Sequence, residues 1–510
     1  MKKNLTIYYT SDVHGCFSPV DYATGKAAAA GLANCMAQFQ KDGNTLVIDG
    51  GDLLQGSPFT NWLYSERRGG ACVPAQLLNA GGYDFITLGN HDFDYGKAEI
   101  ERFLDALDAK CLCANVEGVR GVEKTAVVTM ENGLRVGLTG VITPFVTRFE
   151  KPENMAGIRV TDAFSAAWAA LGELRRKRVD VTVCIYHGGY EADVKTGAIV
   201  SRSGENQGWR MCNELGFDVL LAAHQHMRAE NLRVGGTHTC QLADKAREFA
   251  RVDVAYEGGH VQARSALHPA GERTLPAAEA LLRPLEQELA VWLDTPVGRL
   301  DTEIPAQEPL ERALNGSLMA NLINQVQLAA SGAALSAASV SENVGLPRDV
   351  TIRNIVSVYP FANTLKTIVV TRRELKAALE RSMAYFAMEA DGTVAVSEAF
   401  LRPVAQHFNY DYISGVHVTA DLRRPVGERV TSIRYQGGEL DEGRELTLCL
   451  NSYRASGAGG YEAYASCRTV REETEEVSEL MMRYVRENRE IHVDRTRWLD
   501  IQQRTDSAGN

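Results

Sequence analysis

The chain has 510 residues, 45% hydrophobic and 23% charged, which is enough length for two or more domains, each with its own core. Its net charge of -11 (54 Lys and Arg against 65 Asp and Glu) argues against a duplex nucleic-acid surface but not against a small anion held through a cation. No run reaches the ~18 apolar residues of a membrane span, no signal-peptide h-region is present, and ten scattered cysteines without C-x-x-C suit reduced thiols in a cytoplasmic protein.

In chain order, five short β-type runs each lead into residues that can bind metal. Residues 5–10 enter Asp12-Val13-His14-Gly15, residues 46–48 enter Asp49-Gly50-Gly51-Asp52, and residues 85–88 enter Gly89-Asn90-His91-Asp92-Phe93-Asp94. Residues 181–186 land on His187, and 219–223 on His224-Gln225-His226. Helical runs at 24–41 and 161–178 alternate with them, so 1–265 is expected to be a layered α/β domain. Pro269, Gly271 and Pro276 then break the rhythm, and 277–293 reads as an amphipathic helix despite Pro284. Residues 266–299 are expected to be a connector. From 300 to 500 helices (314–330, 374–386) mix with strands (367–371, 430–435, 445–451), an α+β pattern. Residues 501–510 are polar and expected to be a disordered tail. No tandem repeat is visible.

Strand carboxyl ends in α/β folds face the ligand crevice, so the five motifs are expected to meet in one site. Two divalent ions ~3.5–4 Å apart can clamp the oxygens of a phosphoryl displacement and lower the pKa of a bridging water. Such a pair wants one shared carboxylate and a mixture of imidazole, carboxylate and amide ligands. Asp12, His14, Asp52, Asn90, His187, His224 and His226 supply that inventory. In an extended segment, Asp12-x-His14 and His224-x-His226 would each present both side chains on one side. Asp49 and Asp92 need not be ligands and can instead bond loop backbone. N/O ligands of this kind suit Mn, Zn, Fe, Co or Ni.

The second half carries three loop-like aromatic segments, 358–365, 408–415 and 451–461. A nucleobase stacks on such flat faces for about 1–3 kcal/mol. Aromatics in an α+β domain are more often core residues, and their position beside Gly- and Asn-rich loops is what favours a binding role.

The five motifs in this order, D-x-H-G, G-D-x-x-Q-G, G-N-H-D-F-D, H-x-G and H-x-H, resemble those of the calcineurin-like metallophosphoesterases, and their expanded forms resemble the 5′-nucleotidase family. The resemblance implies an N-terminal calcineurin-like layered α/β sandwich and a C-terminal α+β 5′-nucleotidase-type domain. It implies that Asp12, His14, Asp52 and His226 bind one ion, and that Asp52, Asn90, His187 and His224 bind the other. Several members have Gln at the position of His226. His91, oriented by Asp94, would stabilise the transition state or protonate the leaving oxygen, while a metal-bridging hydroxide attacks phosphorus. Tyr-Pro-Phe-Ala-Asn-Thr-Leu (359–365) and the 451–461 loop resemble C-terminal signatures of the family, which makes Tyr453 one wall of a base site. Either Tyr410 or Phe408 would be the other, and Asn363 and Arg454 would make polar contacts.

Many 5′-nucleotidases have N-G-G-x-R where this chain has Ser331-Gly332-Ala333-Ala334. That form, with 408–416 and 451–457, is more similar to the 2′,3′-cyclic-nucleotide 2′-phosphodiesterase/3′-nucleotidase branch. The expected activity is therefore hydrolysis of 2′,3′-cyclic nucleotides and 3′-nucleotides as small-molecule substrates, with no duplex or membrane partner. The alternatives are a 5′-nucleotidase or UDP-sugar hydrolase, a sulfur-compound hydrolase and a catalytically silent nucleotide-binding module. The connector helix suggests a hinged closure. Oligomeric state is not encoded in any motif.

Overall fold

The structure, a computed structural model, describes residues 2–22, 25–67, 69–201, 203–341, 343–361, 363–402 and 405–502. It forms two compact units, Met1–Ala290 and Val291–Asn510.

In the first unit, β1 (Lys3–Thr10), β2 (Thr45–Asp49), β3 (Phe85–Ile86), β4 (Lys110–Leu112) and β5 (Val122–Glu123) belong to one sheet. The chain then builds a second sheet from β6 (Thr125–Thr129), β7 (Arg135–Ile142), β8 (Val181–His187), β9 (Val219–Ala222), β10 (Ala229–Val234) and β11 (Thr237–Gln241). It returns to the first with β12 (Glu248–Glu257) and β13 (His260–Pro269). The strand orders are β13-β12-β1-β2-β3-β4-β5 and β10-β11-β9-β8-β7-β6.

The β-branched and aliphatic runs read from the sequence form the layer between these sheets. Leu5, Ile7, Leu46 and Ile48 from the first pack with Val136, Leu138, Val183, Ile185, Val219 and Leu221 from the second. All ten are essentially excluded from water, and burying an aliphatic side chain of this size contributes about 1.5–3 kcal/mol. Helix α1 (Ala163–Arg176) covers the outer face of the second sheet through Ala163, Ala167, Ala170 and Leu171. Its N-cap, Asp162, accepts from the Ser165 N–H and satisfies one of the donors a helix start leaves open. This is the sandwich with helical cover that the strand–helix rhythm predicts.

Strand direction places the site. β1 runs parallel to β2, and β2 to β3, with Thr10 opposite Asp49 and Asp49 opposite Ile86. β8 runs parallel to β9, with Tyr186 opposite Ala222. The loops that follow β1, β2 and β3 therefore emerge side by side, as do those after β8 and β9. The Tyr9 hydroxyl donates to the Ala222 carbonyl at 2.9 Å, which ties the two sheets together just below those loops.

One expected helix is a finding in the other direction. Residues 26–27 pair as a strand with 20–21, and among the described residues of the 24–41 stretch helix occupies only Leu32–Met36. Gly25 and Gly31 hold φ of 69° and 109°, which no right-handed helix contains, so the alanine run between them cannot propagate one. The amphipathic helix with Pro284 inside it is present as α2 (Pro276–Leu293).

The second unit centres on a five-stranded sheet. Its strands are β14 (Leu335–Ser339), β15 (Thr364–Val370), β16 (Asp411–Ser414), β17 (Leu446–Asn451) and β18 (Thr469–Glu476), in the order β16-β14-β17-β15-β18. Helices α3 (Leu318–Ser331) and α4 (Arg372–Met383) join it, and a smaller sheet contains His417–Asp421, Val430–Tyr435 and Leu499–Gln502. α3 ends at Gly332 in the left-handed conformation, the usual C-terminal stop. Of the expected tail, 501–502 pair in that smaller sheet, and 503–510 lie outside the described residues.

Candidate metal centre

The loops leaving the strands are bent in an unusual way. Asp12, His14, Asp52, His224 and His226 all have positive φ, from 50° to 74°. The left-handed region costs a residue with a Cβ about 1–2 kcal/mol, and Asp and His tolerate it better than most. Five such residues, each carrying a metal-binding atom, are backbone strain of the kind found at functional sites. The extended geometry expected for 12–14 and 224–226 does not occur, because a left-handed residue at each end turns both tripeptides. Gly51 and Gly89 let the loops after β2 and β3 touch. A Cβ on Gly51 would lie 2.3 Å from the Gly89 nitrogen, and one on Gly89 would lie 2.2 Å from Asp52 Oδ1.

This bending gathers the side chains into two groups. Asp12, His14 and His226 place one ligand atom each within 4.8 Å of one another, and Asp52, His187 and His224 do the same. The two histidines of H-x-H are thus divided between the groups. His14 Nε2 and His226 Nε2 are 3.0 Å apart, and His226 Nε2 is 3.6 Å from Asp12 Oδ1. Asp52 Oδ2 lies 3.2 Å from His187 Nε2 and 3.8 Å from His14 Nε2, so one carboxylate oxygen faces both groups. Asn90 Oδ1 is 3.2 Å from His187 Nε2. His187 Nδ1 bonds the Gly50 carbonyl at 2.7 Å and His14 Nδ1 the Gln55 carbonyl at 3.0 Å, which leaves Nε2 of each ring facing the group.

The electrostatics call for positive charge. Asp12 and Asp52 are buried, and an unpaired buried carboxylate is costly. Burial raises the Asp12 carboxyl above its usual range. Burial also pushes Asp52 upward, but His187, His91 and His14 outweigh it and hold Asp52 well below normal. His187 is pushed down by burial and raised, on balance, to about 10, chiefly by Asp52. Burial lowers His14 and His226 to about 4, so both are neutral lone-pair donors at neutral pH. Asp12 Oδ2 is buried without a hydrogen-bond partner. A donor set of two buried carboxylates, imidazoles of which His14 and His226 are neutral, and an amide oxygen, with one carboxylate oxygen unpartnered, fits divalent cations.

His91 stands beside the groups with its side chain one-third exposed, and its Nδ1 is 3.2 Å from Asp94 Oδ2. Its backbone N–H donates to Asp52 Oδ1 at 2.7 Å. Asp92 is a loop organiser: its carboxylate accepts from the N–H groups of Asp52, Leu53, Leu54 and Gly89. Asp49 accepts from the Thr10 hydroxyl and the Gly51 N–H. Two neighbours of the groups carry no motif signal. Glu205 Oε1 lies 3.0 Å from His224 Nε2, and Asp244 Oδ2 lies 3.9 Å from His226 Nδ1. Both sit in irregular segments that only the tertiary fold brings here.

In the second unit, the three aromatic segments converge through polar ties. Asn451 Nδ2 donates to the Tyr359 hydroxyl at 3.1 Å. Arg454 is buried and makes four hydrogen bonds: it donates to Asp411, Asn409 Oδ1, and the carbonyls of Ala458 and Phe408. These bonds make it a clamp between two loops. Tyr410 is 2% exposed, its hydroxyl donates to the Ala313 carbonyl, and its ring packs on Tyr385, Phe386 and Tyr412. Tyr453 and Phe408 are half-buried, in contrast to Tyr410.

This architecture is shared with proteins of known class. The calcineurin-like phosphoesterase family profile matches residues 5–228, and the 5′-nucleotidase C-terminal domain profile matches 296–466. The chain belongs to the calcineurin-like metallophosphoesterases that carry a 5′-nucleotidase C-terminal domain, a family of hydrolases that use divalent metal ions.

Among individual relatives, it is 23% identical to the trifunctional nucleotide phosphoesterase protein of Bacillus subtilis over 96% of this chain, and spans 38% of that protein's length. It is 24% identical to the 2′,3′-cyclic-nucleotide 2′-phosphodiesterase/3′-nucleotidase of Haemophilus influenzae, over 89% of this chain and 80% of that one. The crystal structure of a candidate 5′-nucleotidase from Staphylococcus aureus, in complex with α-ketoglutarate, superposes with a TM-score of 0.87 at 29% identity. That match covers 98% of this chain and all of the other. No helix among the described residues is long and apolar enough to cross a membrane.

Proposed function

We propose that the protein hydrolyses nucleotide phosphoesters, with 2′,3′-cyclic nucleotides and 3′-nucleotides as preferred substrates. The observation that carries this reading is the pair of ligand groups facing one Asp52 oxygen, with a buried, unpartnered Asp12 oxygen beside them. In the proposal, Asp12, His14, Asp52 and His226 hold one ion. Asp52, Asn90, His187 and His224 hold the other, and the metal is Mn, Zn, Fe, Co or Ni. When bound, such ions neutralise the phosphoryl oxygens and make a water nucleophilic at neutral pH.

His91 acts as the general acid. With Nδ1 held by Asp94, it delivers the proton on Nε2 to the departing ribose oxygen. A cyclic diester would yield a monoester, which the same residues would then bind for a second hydrolysis.

In this reading, residues 1–265 perform the chemistry, 266–299 connect, and 300–500 select the substrate. Tyr453 is one wall of the base site. Phe408 is favoured as the other because Tyr410 is spent on the core. Asn363 is proposed for a polar contact, while Arg454 serves the site by holding the Phe408 loop. The substrate is a small molecule rather than duplex nucleic acid or membrane. Ten free cysteines, eight of them buried, suit the reducing cytoplasm.

The cyclic-nucleotide preference draws on the 408–416 and 451–457 segments and on the similarity to the Haemophilus influenzae enzyme. The alternative, a 5′-nucleotidase, draws on the similarity to the Staphylococcus aureus structure. The test is phosphate release from 2′,3′-cyclic AMP, 3′-AMP and 5′-AMP with Mn²⁺ or EDTA, a phosphatase being added to the cyclic reaction. Faster turnover of the cyclic and 3′ substrates, lost in EDTA, supports the proposal. A preference for 5′-AMP keeps the metal chemistry and transfers the chain to the alternative. No metal-dependent turnover refutes both.

A further inference from the structure

We infer that Glu205 is a positioning residue that fixes the ring of His224 through its Nε2 and so sets the affinity of one of the two metal positions. The inference rests on the reading of His224 as a ligand. An imidazole nitrogen that donates its proton in a hydrogen bond has no lone pair left for a cation, so a ligating histidine is defined by what its other nitrogen bonds. His14 and His187 obey this with backbone carbonyls: Nδ1 of each is taken up by Gln55 or Gly50, and Nε2 faces the group. His224 is the reverse case. Its Nε2 is 3.0 Å from Glu205 Oε1, and a neutral ring that donates there carries its lone pair on Nδ1. A side-chain carboxylate does here what the backbone does elsewhere in the centre.

The surroundings show that Glu205 is placed for this and is not a loose surface acid. Its own backbone carbonyl accepts from the Thr143 hydroxyl at 2.7 Å and from the Tyr186 hydroxyl at 3.4 Å. The next residue, Asn206, accepts the Gly189 N–H on Oδ1 at 2.8 Å. Gln207 follows with its N–H on the Tyr186 hydroxyl at 3.0 Å and its side chain bonded to Asp162 and to the Phe164 N–H. Main chain and neighbouring side chains therefore hold the segment, and the Glu205 carboxylate is left to meet His224. Removing that carboxylate should leave the loop in place and free the ring to turn. His224 needs the constraint because its backbone is left-handed and its ring keeps an exposed edge, unlike the fully buried His187.

The experiment is a calorimetric titration of the metal-free full chain with Mn²⁺ alone, comparing wild type with Glu205→Ala, Glu205→Gln and His224→Ala. Thermal unfolding of each in EDTA checks the fold. Glu205→Ala is expected to weaken one of two binding events by about 10–100-fold, the usual effect of losing an outer partner of a ligand. Glu205→Gln should recover most of that affinity, because its amide oxygen still accepts from Nε2–H. His224→Ala should lose the same event. Wild-type affinity in Glu205→Ala alongside a defective His224→Ala overturns the inference and leaves the metal centre standing. A Glu205→Gln variant as weak as Glu205→Ala also overturns it, since the carboxylate's charge and not its acceptor would then be required. Unchanged binding in His224→Ala removes the ligand reading and the inference together.

Discussion

In the proposed mechanism Asp52 is the shared ligand, because one of its oxygens lies between histidines of the two groups. Asp52→Asn keeps the shape and its bond from the His91 N–H but removes the charge. Losing a shared metal ligand forfeits several kcal/mol of transition-state stabilisation, about three powers of ten in kcat. Turnover with saturating Mn²⁺, and circular dichroism showing an intact fold, would check this; unchanged turnover would refute the assigned role. For His91→Gln, kcat should fall by about 10²–10⁴ with KM little changed. The loss should shrink for p-nitrophenyl phosphate, whose leaving group needs no proton. An equal loss on both substrates would show that His91 is not the acid.

The aromatic residues separate at the same scale. Tyr453→Ala and Phe408→Ala should raise KM, each removing about 1–3 kcal/mol of stacking, with little change in stability. Tyr410→Ala should instead destabilise the second unit by about 3–5 kcal/mol, as loss of a buried aromatic does. Steady-state kinetics and denaturant melts distinguish the two patterns. Spacing alone left Tyr410 and Phe408 equivalent. Burial separates them, since sequence position does not reveal which of two nearby rings faces the core.

At the scale of elements, the parallel strands were legible because their buried β-branched runs are short and bounded by glycine and acidic turns. The failure at 24–41 has an equally local cause: helix propensity of the alanines loses to two glycines with positive φ and to a strand pairing at 26–27. The helix expected at 374–386 is α4, Arg372–Met383, and its start shows why it begins early. Thr371 caps it with its side chain, and Glu374 reaches back to the Thr371 N–H, a capping box.

Thr371→Ala should cost about 1 kcal/mol. Glu374 is held down at about 2, chiefly by its bond from the Thr371 hydroxyl. Its ionised form is thus favoured in the fold over the unfolded chain. The associated stability is complete above pH 4.5 and is lost as pH falls from 4.5 toward 2. Wild type should therefore exceed Glu374→Ala in stability at pH 7 and converge with it across that window. A constant difference in urea melts from pH 7 to 2.5 would contradict the cap.

For the whole molecule, every proposed metal ligand lies in Met1–Ala290, and the second unit has its own core. A ligand that binds only the folded state stabilises what it binds. EDTA should therefore lower the melting temperature of the first unit and leave that of the second unchanged in a calorimetric scan. Mn²⁺ should restore the first. Equal shifts in both transitions would show that the units unfold as one.

The sequence by itself determined the family, the two-domain architecture and the seven residues proposed as ligands, because metal chemistry demands particular side chains at the ends of short strands. It could not show the left-handed backbone at Asp12, His14, Asp52, His224 and His226, which replaces the extended geometry that spacing suggests. Nor could it show Glu205 beside His224, the Arg454 clamp or the burial of Tyr410. These depend on contacts such as those of His224 with Glu205, Arg454 with Phe408 and Tyr410 with Ala313, between residues 19, 46 and 97 positions apart with no fixed spacing. A motif records which atoms the chemistry needs, whereas the partners that aim those atoms are set by which loops the packed sheets bring together.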